Sequence, residues 1–191
     1  MSQNKRNFTR AIYVFDAVVH RVPNDKWDSQ SPCDGWTAKD VLRHQCGVLQ
    51  AMAATLQSGE TVPPEPIESA DNPVAAWTQT RNSVLAELDE PGILDREGKF
   101  WFGPMSVDQW IQVVQWDPMT HAWDIASAVG IAAHIPDDLA SVSHEVISGM
   151  RETLHKWGLI SDEVAIAQDA SASDKFLALI CLLYTSPSPR D

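Results

Sequence analysis

Three side chains of the metal-binding type stand at spacings that can bring them to one point. Asp117 and His121 are four residues apart, and His44 lies far upstream. A spacing of four places two side chains one turn apart on one face of a helix, and His44 would reach them from a second helix. Two imidazoles and one carboxylate leave coordination positions free, as catalytic metal sites do. The spacing therefore predicts a metal site formed by these three residues.

A structural interpretation of the same residues is also open. His44 would then be a hydrogen-bonded core histidine, and Asp117 a solvent-facing carboxylate beside a helix kink at Pro118. Against this, an aspartate on an apolar, tryptophan-flanked face is costly unless it is paired or binds a cation. Asp124, three residues after His121, either orients an imidazole or serves as an ordinary hydrogen-bond acceptor within the helix.

The other histidines are weaker candidates. His20 and His134 lie next to predicted helix ends, where an imidazolium interacts favourably with the helix dipole. His144 and His155 fall on one face of a predicted helix, which is most simply a solvated face. We expect none of the four to bind a metal.

The cysteines offer little chemistry by themselves. Cys33 stands in a polar loop beside Asp34, and an adjacent carboxylate disfavours the thiolate. We therefore expect Cys33 to be poorly activated, because its loop lacks an activating base or cation, and we assign Cys46 to the core. The sequence contains no Ser-His-Asp spacing, phosphate-binding glycine loop or dinucleotide fingerprint.

Composition bounds the class of protein. The chain has 191 residues, of which 44% are hydrophobic, and a formal net charge of −12, so it suits one globular domain. Lys and Arg are scattered, which argues against nucleic-acid or anionic-membrane partners. The N-terminus lacks the apolar stretch of a signal peptide, and three cysteines without a Cys-x-x-Cys pair indicate a reduced, cytoplasmic protein.

Local patterns predict a helical bundle around the candidate site. The first helix ends before Pro23, and the second opens at a capping box of Thr37 and Asp40 and ends at Gly59. The proline-rich stretch 60–73 must be a loop, and a third helix follows it up to residue 90. These helices are indicated by mostly apolar residues at helical spacing: Phe8, Ile12, Phe15 and Val19; Val41, His44, Val48, Met52 and Leu56; and Trp77, Arg81, Val84 and Leu88.

The second half of the chain continues the helical pattern after a short undecided segment. Residues 99–103 fit either a strand or an aromatic loop. A fourth helix should begin at a cap of Ser106 with Gln109 and run to about residue 129, kinked at Pro118. A fifth helix is expected over 138–157 and a short one over 173–180. The predicted fold class is all-α.

The last eleven residues, Cys181–Asp191, depart from this pattern and end in a Ser-Pro repeat. Natural disordered tails have this composition, but the string also resembles the translation of a transposon-type sequencing adapter. We interpret it as an artefact, take residues 1–180 as the metal-binding domain, and expect the natural sequence beyond Ile180 to be missing. Deleting residues 184–191 should shift Tm by less than a few degrees, the shift that a change of about 1 kcal/mol in the free energy of unfolding produces.

Several motifs resemble one known family. Ser31-Pro-Cys-Asp-Gly-Trp-Thr37, Asp40-Val-Leu-Arg-His44 and Asp117-x-x-x-His121-Ala-Trp-Asp-Ile-Ala126 are similar to actinobacterial metal-binding proteins of the DinB-like superfamily, relatives of the mycothiol-dependent maleylpyruvate isomerase N-terminal domain. The resemblance covers residues 7–180. It implies a DinB-like four-helix bundle with an additional C-terminal helix, and a divalent metal, zinc or nickel, held at the positions of His44, Asp117 and His121.

The resemblance also implies a function. Characterised relatives use a low-molecular-weight thiol such as mycothiol or bacillithiol, so the expected partners are a small thiol and an electrophilic substrate, with a homodimer possible. We expect a metal-dependent, thiol-using transferase or maleylpyruvate isomerase-like enzyme. A non-catalytic metal-binding or stress-response bundle is the alternative, and a helical interaction module with core-filling histidines is a third.

Overall fold

Helices account for most of the molecule, and the computed structural model describes residues 1–68, 71–160 and 162–180. The elements in chain order are α1 (Gln3–Val19), α2 (Ala38–Ser58), α3 (Pro73–Asp89), β1 (Glu97–Phe100), β2 (Gly103–Ser106), α4 (Val107–Val114), α5 (Trp116–Val129), α6 (Asp137–Lys156) and α7 (Ala172–Leu179). The two short strands form a single hairpin. The predicted all-α class is confirmed.

The ends of α2 are determined by local sequence, as predicted. The Thr37 hydroxyl accepts a hydrogen bond from the Asp40 amide (3.2 Å), and the Asp40 carboxylate accepts one from the Thr37 amide (3.0 Å). These bonds satisfy donors that a helix N-terminus otherwise leaves unpaired. At the other end, Gly59 adopts the left-handed conformation (φ +76°) that terminates helices.

The predicted fourth helix is two helices, so that prediction was wrong about its continuity. The Ser106–Gln109 capping box does open α4, but the chain breaks at Gln115 before α5 begins. Pro118 has no amide hydrogen, and its ring crowds the carbonyl of Val114 four residues earlier. The helical ladder is therefore interrupted at the start of α5, just where Asp117 stands.

The main core lies between α1, α2, α3 and α5, with α4 packed against α1. Phe15 of α1 and Trp77 of α3 meet with ring centroids 4.4 Å apart. Trp77 also donates its indole N–H to Asp16 (2.8 Å), which pairs with Arg81 as well. The indole N–H and the carboxylate between α1 and α3 are thus hydrogen-bonded, as buried polar groups normally are.

A second hydrophobic cluster attaches the C-terminal helices. Trp116 and Met119 of α5 pack with Leu139 and Ile147 of α6 and with Phe176 of α7. The additional C-terminal helix is therefore present, and it packs against α6. Among the described residues, no helix is long and apolar enough to cross a membrane. The predictions for Cys181–Asp191 concern residues outside the described part of the chain.

The segment left undecided by the sequence is an antiparallel hairpin with an aromatic turn. Phe100 pairs with Gly103, which places Trp101 and Phe102 in the turn. The Trp101 indole N–H donates to the Val62 carbonyl (2.9 Å), and the Thr61 hydroxyl donates to the Lys99 carbonyl. These bonds fix the proline-rich loop after α2 against the hairpin.

Candidate metal centre

The structure brings His44, Asp117 and His121 together between α2 and α5. One ligand-type atom from each residue lies within 4.8 Å of the other two. The His44 and His121 rings meet edge-on with centroids 5.0 Å apart, and His121 Nε2 lies 3.6 Å from an Asp117 carboxylate oxygen. Two ligands of one tetrahedral zinc ion with bonds of about 2.0–2.2 Å lie about 3.3–3.6 Å apart. The geometry can therefore accommodate a small cation.

Asp124 fixes the orientation of His121. Its carboxylate oxygen lies 2.9 Å from Nδ1 of His121, and the Asp124 side chain is fully buried. With Nδ1–H donating to Asp124, the free lone pair of the neutral imidazole is on Nε2, which faces Asp117. A carboxylate behind a ligating imidazole is the arrangement that metal sites use to fix the tautomer. Of the two roles open for Asp124, the geometry matches the orienting one.

Charges around His121 favour a positive species between the two aspartates. Burial by itself disfavours the imidazolium, but the charge of Asp117 and the hydrogen bond with Asp124 raise the pKa of His121 well above its usual range. At His44 the balance is reversed. Burial lowers the pKa of His44, and the neighbouring His121 lowers it further against a weaker attraction from the aspartates.

One oxygen of Asp117 has no partner among the described residues. Asp117 Oδ2 is buried, and no hydrogen bond reaches it. A buried carboxylate oxygen without a donor is unfavourable unless a cation compensates it. The orphaned oxygen, two imidazoles and the 3.6 Å approach together make this donor set suitable for a divalent metal.

The loop between α1 and α2 covers one side of the site. A hydrogen bond from the Ser31 amide to the Trp36 carbonyl (2.8 Å) and another from the Trp36 amide to the Cys33 carbonyl (3.0 Å) fold it into a tight turn. Trp36 then lies against the His44 ring, with centroids 5.1 Å apart. The indole restricts how the imidazole can rotate.

The sequence did not show that Cys33 lies beside His121. Its sulfur, a ring nitrogen of His121 and an Asp124 oxygen lie within 4.8 Å of one another, and the thiol helps to raise the pKa of His121. The loop itself contains no base, as expected, but the fold brings His121 of α5 close to Cys33, and neighbours in sequence do not show this. The one signal in the sequence for a role of Cys33 was its position in a motif that resembles the family. Cys46, as predicted, is buried in the core.

The remaining histidines lie elsewhere. His20 caps the C-terminus of α1 and interacts with Asp16, while His155 on α6 lies 3.2 Å from Asp162. His134 is exposed after α5. Within the described residues, two clusters of potential ligands were found, and neither contains these residues or His144.

A cavity of about 410 Å³ opens beside the three residues, with His44 and Asp117 in its wall. The other lining residues come from α2, the proline-rich loop, the hairpin turn, the α4–α5 junction and the segment after α6. They are predominantly aromatic or aliphatic, and include Trp101, Phe102, Trp116, Trp157, Pro63 and Val114. The candidate metal centre is thus accessible to a small molecule.

Comparisons of the sequence identify relatives among known proteins. An uncharacterized Mycobacterium tuberculosis protein, Rv0738, is 30% identical over 132 residues, which span 69% of this chain and 70% of the relative. A second, Rv0036c, is 27% identical over 153 residues, covering 68% of this chain and 57% of that protein.

A solved structure has the same fold. The crystal structure of a histidine-to-alanine mutant of the mycothiol-dependent maleylpyruvate isomerase aligns with a TM-score of 0.50 and 16% identity, over 84% of this chain and 72% of that one. The family model for the mycothiol maleylpyruvate isomerase N-terminal domain matches residues 8–126, which include all three candidate ligands. The chain therefore belongs to the mycothiol maleylpyruvate isomerase N-terminal domain family.

Proposed function

We propose that this protein binds a divalent metal through His44, Asp117 and His121 and uses it to activate a low-molecular-weight thiol for transfer or isomerisation. The observation that carries the proposal is the convergence of two imidazoles and a carboxylate whose second oxygen is buried without a donor. Without a cation or an extra proton, these electron-rich atoms repel one another.

The donor set suits zinc or nickel. Imidazole nitrogen with one carboxylate oxygen favours borderline metals over calcium or magnesium, which prefer oxygen alone. Three protein ligands leave at least one position for an exogenous ligand. Family membership makes mycothiol the first thiol to test.

A bound divalent cation would lower the pKa of an approaching thiol and hold the sulfur as thiolate. The protein residues supply the rest. Asp124 holds His121 with Nε2 directed toward Asp117, and Trp36 restricts the His44 ring. Cys33 lies close to both His121 and Asp124. The apolar cavity excludes water from the space where a thiolate would meet its electrophile.

Both reactions form a bond between sulfur and carbon, which the transfer keeps and the isomerisation breaks again. In a transfer to an activated alkene, a carbon–sulfur bond forms and the proton of the thiol ends on the neighbouring carbon. In an isomerisation, the thiolate adds to one alkene carbon and the remaining carbon–carbon single bond rotates. The carbon–sulfur bond then breaks, which regenerates the double bond and releases the thiol unchanged. The sequence of steps consumes no oxidant or reductant.

Metal content of the purified protein tests the proposal first. We expect about one zinc or nickel per chain in the unaltered protein, and none in His44→Ala. His134→Ala is the matched control, because His134 is an exposed histidine outside the site, and it should keep the metal. Equal metal content in all three proteins would contradict the ligand assignment.

Cobalt substitution then tests the thiol. Addition of mycothiol to the cobalt form should produce thiolate-to-cobalt absorption in the near ultraviolet, and glucose, a neutral polar solute without a thiol, should not. A stable cobalt site whose spectrum is insensitive to thiols would instead indicate a non-catalytic metal-binding bundle.

A further inference from the structure

The residues that line the cavity beside the candidate metal centre indicate a class of substrate that family membership does not specify. We propose that it binds the carbon skeleton of an uncharged, aromatic electrophile, so that the reaction is the addition of a thiol to such a compound and not the isomerisation of a dicarboxylate. This inference rests on the proposed function for its chemistry, but its binding step can be tested separately.

The charges along the cavity wall disfavour an anionic substrate. Among the described residues that line the cavity, none is Lys or Arg, and the ionisable ones are His44 and Asp117, both at the metal end. A divalent ion with Asp117 and one thiolate is already neutral. A carboxylate placed deeper in the cavity would therefore lose its hydration without gaining a cationic partner, which is strongly unfavourable.

The size and surface of the cavity favour a flat, apolar ligand. The volume of about 410 Å³ is within the range of small-molecule sites. Trp101, Phe102 and Trp116 supply aromatic surfaces along the walls, and flat apolar ligands gain most from such surfaces. A ligand of one or two rings fits this space better than a hydrated acid.

The walls are held in place before any ligand arrives. The Trp101 indole donates to the Val62 carbonyl (2.9 Å), so this tryptophan presents its ring, and not a free N–H, to the cavity. Trp101 also packs edge-on against Trp110, with centroids 5.1 Å apart. A preorganised apolar wall binds an apolar ligand without the cost of ordering side chains.

The mouth of the cavity is lined by exposed apolar side chains. Trp157 and Leu159, after α6, are each 51% exposed, and Trp157 lies near Phe102 with ring centroids 5.8 Å apart. Exposed large apolar residues beside a pocket indicate a binding surface more often than isolated ones do. Trp157 is positioned to cover a bound ring.

The reaction that fits is conjugate addition. The sulfur of the thiol bonds to the β-carbon of an aryl enone, the double-bond electrons move toward the carbonyl, and the thiol proton ends on the α-carbon. Nothing is oxidised, and no group leaves. The aryl ring occupies the apolar cavity while the electrophilic carbon faces the metal end.

Two fluorescent probes that differ by one charged group test the binding step. N-phenyl-1-naphthylamine is neutral, and 8-anilino-1-naphthalenesulfonate carries the same rings with a sulfonate. We expect the purified protein to bind the neutral probe once per chain and at least about tenfold more tightly than the anionic one. Equal or tighter binding of the sulfonate would overturn the proposal.

Two variants locate the probe. Trp157→Ala should weaken the neutral probe about fivefold, the loss expected for one aromatic face. Tyr13→Ala is the control, because Tyr13 is 50% exposed on α1 and does not line the cavity. An unchanged affinity in Trp157→Ala, or an equal loss in Tyr13→Ala, would mean that the probe binds elsewhere and would contradict the proposal.

Turnover completes the test with the metal-loaded protein. Mycothiol should add to 4-phenylbut-3-en-2-one faster than to maleate, relative to the uncatalysed reactions of each. If the protein binds no metal but still binds the neutral probe selectively, the proposed function alone is refuted. A metal-loaded, thiol-responsive protein that excludes the neutral probe or prefers maleate would refute the substrate class alone.

Discussion

His121 Nδ1 lies 2.9 Å from a carboxylate oxygen of Asp124, whose side chain is fully buried. The opposite ring nitrogen, Nε2, faces Asp117 at 3.6 Å. The imidazole is therefore held between two carboxylates from its own helix, one turn before it and one turn after it. This arrangement fixes both the rotation of the ring and the nitrogen that can bind a metal.

Asp124→Asn should lower metal affinity about 10- to 100-fold without unfolding the protein. The amide has the shape of the carboxylate but lacks its charge, so His121 becomes a weaker and less well-oriented ligand. Asp117→Asn is the companion variant, and it should be at least as damaging because it alters a proposed ligand directly. Competition with a chromophoric chelator measures both affinities. Unaltered affinity in Asp124→Asn would remove the orienting role.

Cys33→Ser should keep metal binding and most thiol-dependent activity. The serine hydroxyl can still interact with His121, and Cys33 is not within the three-residue cluster of His44, Asp117 and His121. Metal content and turnover are the measurements, with Cys46→Ser as a control for thiol loss elsewhere. If turnover vanished while the metal remained, Cys33 would be the nucleophile and the proposed use of an external thiol would be wrong.

The parts of the fold that sequence predicts well are those determined within a few residues. The capping box of Thr37 and Asp40, the termination at Gly59 and the four-residue spacing of Asp117 and His121 are all local. Each depends on backbone geometry that a single turn of helix already contains.

The parts that sequence predicts poorly depend on contacts between distant segments. Cys33 reaches His121 because a loop before α2 folds over α5, and no spacing within the loop encodes that contact. The pairing of Phe100 with Gly103 was undecidable because a short aromatic run fits a strand or a loop equally well. His44 was proposed as the third ligand from its residue type and its interior position on α2, and no spacing along the chain encodes its approach to α5.

Cys46 should resist alkylation in the native protein. Burial raises the pKa of the Cys46 thiol to about 11, against a smaller opposing effect of its hydrogen bond with Thr80. Iodoacetamide at pH 8 should therefore label Cys33, which is only partly buried, well before Cys46. Peptide mapping by mass spectrometry separates the sites. Labelling of Cys46 at the rate of Cys33 would show that the core opens readily.

The same thiol predicts a loss of stability at high pH. Because the folded pKa is raised, the contribution is complete below the ordinary thiol pKa and disappears as pH rises through about 11. In the window between these values the unfolded chain loses the proton first, so the free energy of unfolding falls. Urea unfolding of the unaltered protein and Cys46→Ala between pH 8 and pH 11 measures the effect. The decline should be smaller in Cys46→Ala; identical slopes would contradict it.

Gly47→Ala should displace the proline-rich loop that forms part of the cavity wall. A Cβ at Gly47 would lie 1.8 Å from the Glu65 carbonyl oxygen, so the proline-rich loop could not keep its position on α2. We expect a loss of about 1–3 kcal/mol in the free energy of unfolding, typical of overpacking, and weaker binding of the neutral probe because Pro63 and Pro64 line the cavity.

Gly149→Ala is the matched control for this substitution. Gly149 lies within α6, and a Cβ there meets nothing within 4 Å. Alanine should stabilise that helix by up to about 1 kcal/mol, because glycine loses more backbone entropy on folding. Thermal unfolding should therefore show a lower Tm for Gly47→Ala and a higher Tm for Gly149→Ala. The probe titration should show weaker binding in Gly47→Ala. A Gly47→Ala protein with unchanged Tm and probe affinity would show that the loop is free to shift. The inference that the cavity wall is preorganised would then be wrong.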